Sequence, residues 1–144
     1  MVCGLNREIK MAMSNSERQV RDLLDEWTRL IGEKDASAVA ALYDSSAQFW
    51  GTLASHIRDE PPEVLDYFQH FLDRHRIEAN IGNLRLREHG DLVLAAGHYI
   101  FHWQDTPESD EIRARTRFTF VFGPGEKGWT ILQHHSSAWV LNGF

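Results

Sequence analysis

The chain has 144 residues, enough for one ordinary domain with a real hydrophobic core. At 42% hydrophobic and 25% charged it has globular composition, and a net charge of -6 argues against general binding to nucleic acid or anionic membrane surfaces. Its single cysteine, Cys3, excludes an intrachain disulfide and a cysteine-based zinc site.

No apolar run approaches the ~20 residues of a membrane span. The opening MVCGLNREIK lacks the apolar core of a signal peptide, so a cytoplasmic location is expected. Residues 1–13 carry no pattern and read as an irregular tail; 14–144 read as a single domain. Ser14-x-x-Glu17 has the form of a capping box. Behind it Val20, Leu23, Leu24, Trp27, Leu30 and Ile31 make one helical face, and Gly32 is the expected C′ residue. Asp35 is placed to cap a second, shorter helix with Val39, Leu42 and Tyr43 on its apolar side.

Residues 47–52 read as a short strand and 55–60 as a polar loop. Pro61 and Pro62 suit the first turn of a third helix, where their missing N–H costs nothing. Its apolar face is Val64, Leu65, Phe68, Phe71 and Leu72, and its expected end lies near Arg74–Arg76. From Ile77 the hydrophobic period changes from 3.6 to 2, predicting strands over about 78–88, 92–104, 111–122 and 128–140. The connections His89-Gly90-Asp91, TPESDE and GPGEKG are short, so neighbouring strands run antiparallel. Helices followed by a meander of long strands predict an α+β fold.

Alternation splits the third-from-last strand into His98 with Leu94, Ala96 and Ile100 on one side, and Tyr99, Phe101 and Trp103 on the other. The next strand splits into Arg113, Arg115, Arg117, Thr119 and Val121 against Phe118, Phe120 and Phe122; the last carries His134 and Ser136 on one face. Both faces of the sheet are thus substantially apolar, and three helices cover only one. The aromatic face is expected to be the convex one, buried against a second copy of the chain. Arg117, beside Thr119 and Val121, is expected to face inward, where it needs a partner or a bound anion. With His98, His134 and Ser136 it would line a cavity suited to a small carboxylate or phosphate.

Metal binding is not expected. His134 and His135 point to opposite faces, and His98 and His102 lie ~13 Å apart along a strand. Trp27, Trp50 and Trp129 read as core, and none calls for a cofactor.

The segment EKDASAVAALYDSSAQFWGTL, the helix PPEVLDYFQHFL, and the hairpin TRFTFVF with GWTILQHHSSAW resemble the nuclear transport factor 2-like, SnoaL-like superfamily. They are similar in particular to the association domain of calcium/calmodulin-dependent protein kinase II and its stand-alone bacterial relatives. The resemblance spans about residues 16–140. It implies a cone-shaped, cystatin-like fold, with the N-terminal helices packed in the concave face of a curved, mainly antiparallel sheet. It further implies dimers formed through the sheets, often assembled into rings, and a polar pocket able to accept small carboxylates. Arg117 matches the family's pocket arginine; His98 and Ser136 stand where the association domain has further arginines; Tyr67 lies near the pocket position of the third helix.

Two functions follow as expectations. One is a stand-alone, association-domain-like homo-oligomer binding a small, acidic metabolite through Arg117, His98, His134, Ser136, Tyr67 and Trp50. The other is a small SnoaL- or ketosteroid-isomerase-type enzyme. It would use His98 or His134 as base and Tyr67, Trp50 or Arg117 as donor to an oxyanion. No carboxylate falls clearly on the pocket face to orient such a base.

Overall fold

The computed structural model describes residues 13–140 and Asn142. The tail expected over 1–13, with Cys3, therefore falls outside the described residues apart from Met13.

Helix α1 (Asn15–Glu33) starts where the sequence predicts, because Ser14 Oγ accepts the Glu17 N–H at 3.1 Å. It buries Val20, Leu24, Trp27, Leu30 and Ile31, spaced for one face. It does not end at Gly32. The helix runs one residue further, and Lys34 takes the left-handed conformation (φ 58°), its N–H reaching back to Ile31 and Leu30. The Lys34 Nζ donates to the carbonyls of Arg74 and His75, which offsets the cost of a non-glycine residue there. Asp35 caps helix α2 (Ala36–Ala41) through the Ala38 N–H, as expected.

Tyr43 is not on that helix. It opens strand β1 (Tyr43–Trp50), whose inward residues are Tyr43, Ala47 and Phe49. Helix α3 (Pro61–Phe71) begins at the two prolines and stops at Phe71, short of the expected end, with Leu72 as its C-cap. Strands β2 (Arg76–His89), β3 (Leu92–Gln104), β4 (Ile112–Gly125) and β5 (Gly128–Ala138) follow the predicted positions closely.

The five strands form one sheet in the order β1-β5-β4-β3-β2, with β1 parallel to β5 and every other pair antiparallel. Register shifts interrupt the ladder within β1, between Gly82 and Arg85, and where Val121-Phe122 meets β5. Such bulges bend and twist strands, and here they curve the sheet around the helices. The fold is α+β, with the helices against one face of a mainly antiparallel sheet.

The two sheet faces are the reverse of the sequence expectation. Tyr99, Phe101, Phe118, Phe120 and Phe122 are buried, and their face packs on the helices. Trp27 of α1 is the reason: its ring stacks on Tyr99 (centroids 5.6 Å apart) and meets Phe120 edge-on. Burying these large rings outweighs burying the smaller side chains of the other face. Arg113, Arg115, Arg117 and Thr119 are exposed on the outer face, so the aromatic surface is core and not a dimer contact.

Candidate functional site

The concave face closes on a cavity of about 50 Å³ between the sheet and α3. On the usual probe measure one water needs ~10–15 Å³, so there is room for a few waters or a short apolar group. Its walls are mostly aromatic: Trp27 from α1, Phe49 from β1, Phe68 and Phe71 from α3, Phe101 and Trp103 from β3. Among the lining residues there is neither a carboxylate nor an arginine or lysine. The polar groups are Thr52, Tyr67, Tyr99, Thr116, His134 and Ser136.

His134 sits at the inner end. Phe120 stacks on its ring at 3.8 Å, and Phe49 packs at 4.9 Å. Burial holds its pKa well below the usual histidine value, with the charge of His135 adding to the effect, so the ring is neutral. Its Nδ1 lies 2.7 Å from the Tyr43 hydroxyl and its Nε2 3.1 Å from the Tyr99 hydroxyl.

The direction of these bonds follows from the donor at the far end. The Trp27 indole N–H can only donate, and it does so to the Tyr43 oxygen at 3.2 Å. Tyr43 is then free to donate its own proton to His134 Nδ1; the opposite arrangement would bury that proton without an acceptor. A neutral ring accepting at Nδ1 carries its proton on Nε2, which donates to Tyr99. The Tyr99 proton is left for the cavity side. There Ser136 accepts the Thr52 N–H at 3.1 Å and lies 2.8 Å from the Thr52 hydroxyl. The chain thus runs one way, from Trp27 through Tyr43 and His134, and ends in the hydroxyls of Tyr99, Ser136 and Thr52 on the cavity wall.

Burial pushes the Tyr99 hydroxyl well above the ordinary tyrosine value, opposed by hydrogen bonding with Ser136. The Tyr67 hydroxyl, also raised by burial, reaches about 12. Both are neutral hydrogen-bonding groups at physiological pH. Tyr67 can lie where it does because residue 51 is glycine: a Cβ there would fall 2.4 Å from the tyrosine hydroxyl.

The six residues singled out in the sequence therefore separate. Tyr67, His134 and Ser136 line the cavity. Arg117 and His98 do not. They are direct cross-strand partners, as their faces implied, but on the outer side of the sheet. There Arg117 Nε donates to Ser137 Oγ at 3.2 Å, and the His98 ring packs on Trp139. Trp50 is 41% exposed, and its indole donates to the Ala54 carbonyl. Trp27 is core as expected, while Trp129 is only half-buried.

Tyr43, Tyr99 and Thr52 were missed. Tyr43 sat on an apparent helical period; Tyr99 was assigned to the outer face; Thr52 lies in a loop without periodicity. The parity of Tyr43, Ala47 and Phe49 was the signal for the first.

A second hollow of about 180 Å³ adjoins the cavity, sharing Leu53, Tyr67 and Phe71 with it and adding Arg58, His70 and Arg74. Among the described residues no three His, Cys, Asp or Glu side chains gather as a metal site, and no helix is long and apolar enough to cross a membrane.

No curated protein matches the sequence. Among solved structures, the chain is similar to a candidate calcium/calmodulin-dependent protein kinase II association domain from Xanthomonas campestris. The identity is 26% over 86% of this chain and 88% of that one, with a TM-score of 0.78. A candidate dehydratase of the nuclear transport factor 2-like family from Streptomyces avermitilis shares the fold at 14% identity, covering 87% and 97% of the two chains (TM-score 0.78). So does a nuclear transport factor 2-like protein with a cystatin-like fold from Novosphingobium aromaticivorans, at 12% identity over 100% and 92% (TM-score 0.74). The SnoaL-like domain family matches residues 20–141, nearly the whole described fold, and the chain, which has the nuclear transport factor 2-like fold, belongs to that family.

Proposed function

We propose that this protein is a homo-oligomeric small-molecule-binding domain. Its cavity holds a small, mainly apolar ligand through a hydrogen bond from the Tyr99, Ser136 and Thr52 hydroxyls. The observation that carries this reading is the buried run of hydrogen bonds from Trp27 through Tyr43 and His134 to Tyr99, which reaches the wall of a mainly aromatic cavity. An apolar pocket with a few convergent polar groups is the common form of a ligand site. The ligand's matching group is an acceptor such as a carbonyl oxygen.

The enzyme alternative is less well supported, because the cavity offers a donor but no base. His134 is neutral, held down by burial, and has both ring nitrogens engaged. Self-association is part of the proposal on the similarity to the Xanthomonas association domain. The surface for it is the outer face, where Leu94 and Trp139 are partly exposed among the arginines, rather than the aromatic face.

The test is thermal denaturation with a neutral acceptor such as hexanamide. Binding raises the midpoint by mass action. Tyr99→Phe should weaken binding roughly tenfold, and Ala114→Leu, which fills the cavity, should abolish the shift. A wild-type protein indifferent to hexanamide, or a shift that survives Ala114→Leu, refutes the cavity as the site. Native mass spectrometry at micromolar concentration tests the assembly: a monomer refutes it.

A further inference from the structure

The hollow at the cavity mouth is walled by two arginines that belong to neither strand face. Arg58 comes from the loop after β1 and Arg74 from just beyond α3. Their side chains are only 16% and 15% exposed, as buried as the cation of an ion pair, yet neither is fully paired. Arg58 uses one terminal nitrogen, Nη1, for the Glu63 carbonyl at 3.0 Å and for Asp66 at a long 3.4 Å. Its Nε is buried with no partner among the described residues, so the Nε/Nη2 edge holds no acceptor. Arg74 spends Nε on the Phe71 carbonyl and Nη1 on Asp105, again leaving Nη2. Asp66 and Asp105 are both more than half exposed, so solvent screens their compensation.

A buried guanidinium with an open edge is costly unless an anion completes it. The Nε/Nη2 edge is the one that receives a carboxylate through two parallel hydrogen bonds. The surroundings keep the arginines in place: Arg58 lies over the Tyr67 ring, and Arg74 lies 4.2 Å from the centre of the Trp103 ring. Tyr67 and Phe71 belong to both spaces, so a group at the arginines continues directly into the aromatic cavity.

We infer that Arg58 and Arg74 form a carboxylate-binding mouth, and that the ligand class is a small monocarboxylate whose apolar body and far acceptor enter the inner cavity. This rests on the cavity reading above. It keeps an acidic ligand but assigns its charge to Arg58 and Arg74, which no strand periodicity exposes, and not to Arg117.

5-Oxohexanoate and 5-oxohexanamide differ only in the group that would meet the arginines, and both carry a far carbonyl for the inner hydroxyls. Isothermal titration at low ionic strength should give wild-type protein a preference of roughly ten- to hundredfold for the acid. The preference should shrink as salt rises, a measurement that needs no variant to fold. Arg58→Gln should cut the preference most of the way to one while leaving 5-oxohexanamide binding within about threefold, and Arg58→Lys should restore part of it. Arg74→Gln should act in the same direction. Equal binding of acid and amide by wild type, or a preference that survives both variants, overturns the carboxylate mouth alone. Failure of both probes to bind overturns the cavity reading and the mouth with it.

Discussion

Replacing Tyr43 by phenylalanine removes one oxygen from the interior and strands two partners. The hydroxyl accepts from Trp27 Nε1 and lies 2.7 Å from His134 Nδ1. Tyr43, Trp27 and His134 are 7%, 1% and 2% exposed, so bulk water cannot take its place. A buried polar group left without a partner costs about 1–3 kcal/mol, which for two groups puts Tyr43→Phe at about 2–6 kcal/mol. With an unfolding entropy of ~2.1 cal/mol/K per residue, the whole chain has ~0.3 kcal/mol/K, so the midpoint should fall by about 7–20 °C. Tyr99→Phe also breaks a bond to His134, but at the cavity edge, where a water can enter. Its cost should be about 1 kcal/mol. The assay is urea unfolding of all variants at one protein concentration, because assembly makes apparent stability concentration-dependent. A cost for Tyr43→Phe below about 1 kcal/mol, or no larger than that of Tyr99→Phe, would refute the direction assigned to the hydrogen-bond chain.

His134 makes stability pH-dependent in a defined sense. Its folded pKa lies below the unfolded value, so between the two the unfolded state binds the extra proton. Stability from this group is complete above the ordinary histidine pKa and should fall by about 1.4 kcal/mol per pH unit below ~6.5; His134→Gln should flatten that slope in a pH series of urea midpoints. Gly51→Ala drives a Cβ into the Tyr67 ring tip. It should cost about 1–3 kcal/mol and weaken hexanamide binding, and an unchanged ligand affinity would show that Tyr67 is not part of the cavity wall. Phe120→Ala empties a fully buried ring site and should cost about 3–5 kcal/mol in denaturant unfolding. Leu94→Glu on the outer face should leave the fold intact but raise the monomer fraction in sedimentation; the reverse pairing of outcomes would put the interface on the wrong face.

The order of the elements and the starts of the three helices were legible because periods of 3.6 and 2, proline pairs and capping residues act locally, whereas the first strand runs over Tyr43–Trp50 and not 47–52. Which face of the sheet turns inward was not. Ile100, Val121 and Leu94 make the outer face look half-apolar, and only the partner ring, Trp27 from a helix some seventy residues earlier, decides the matter. That one inversion removed Arg117 and His98 from the site and brought in Tyr99. His134 and Ser136 were placed together correctly because they share parity on one strand. Arg58 and Arg74 were out of reach for a different reason: they leave a loop and a helix end, where no period exists, and meet only in the folded chain.

The bulge on β5 has a bearing on how this site tolerates change. Ile131 and His134 both point inward, although three residues apart, because Leu132 absorbs the extra step in the ladder with Val121 and Phe122. Beyond it the sequence reads His134-His135-Ser136-Ser137, a doubled pair. Deleting Leu132 would leave a regular ladder with His134 still opposite Phe120; a one-residue slip of β5 along β4, by contrast, would reverse its faces. A slip that draws the strand one residue toward the bulge would exchange His134 and Ser136 for His135 and Ser137, the same two side chains in the same order. The cavity's polar end is thereby buffered against loss of Leu132 and against a register slip in that one direction. The cost of such a slip would fall instead on Trp139, which would lose its packing on His98.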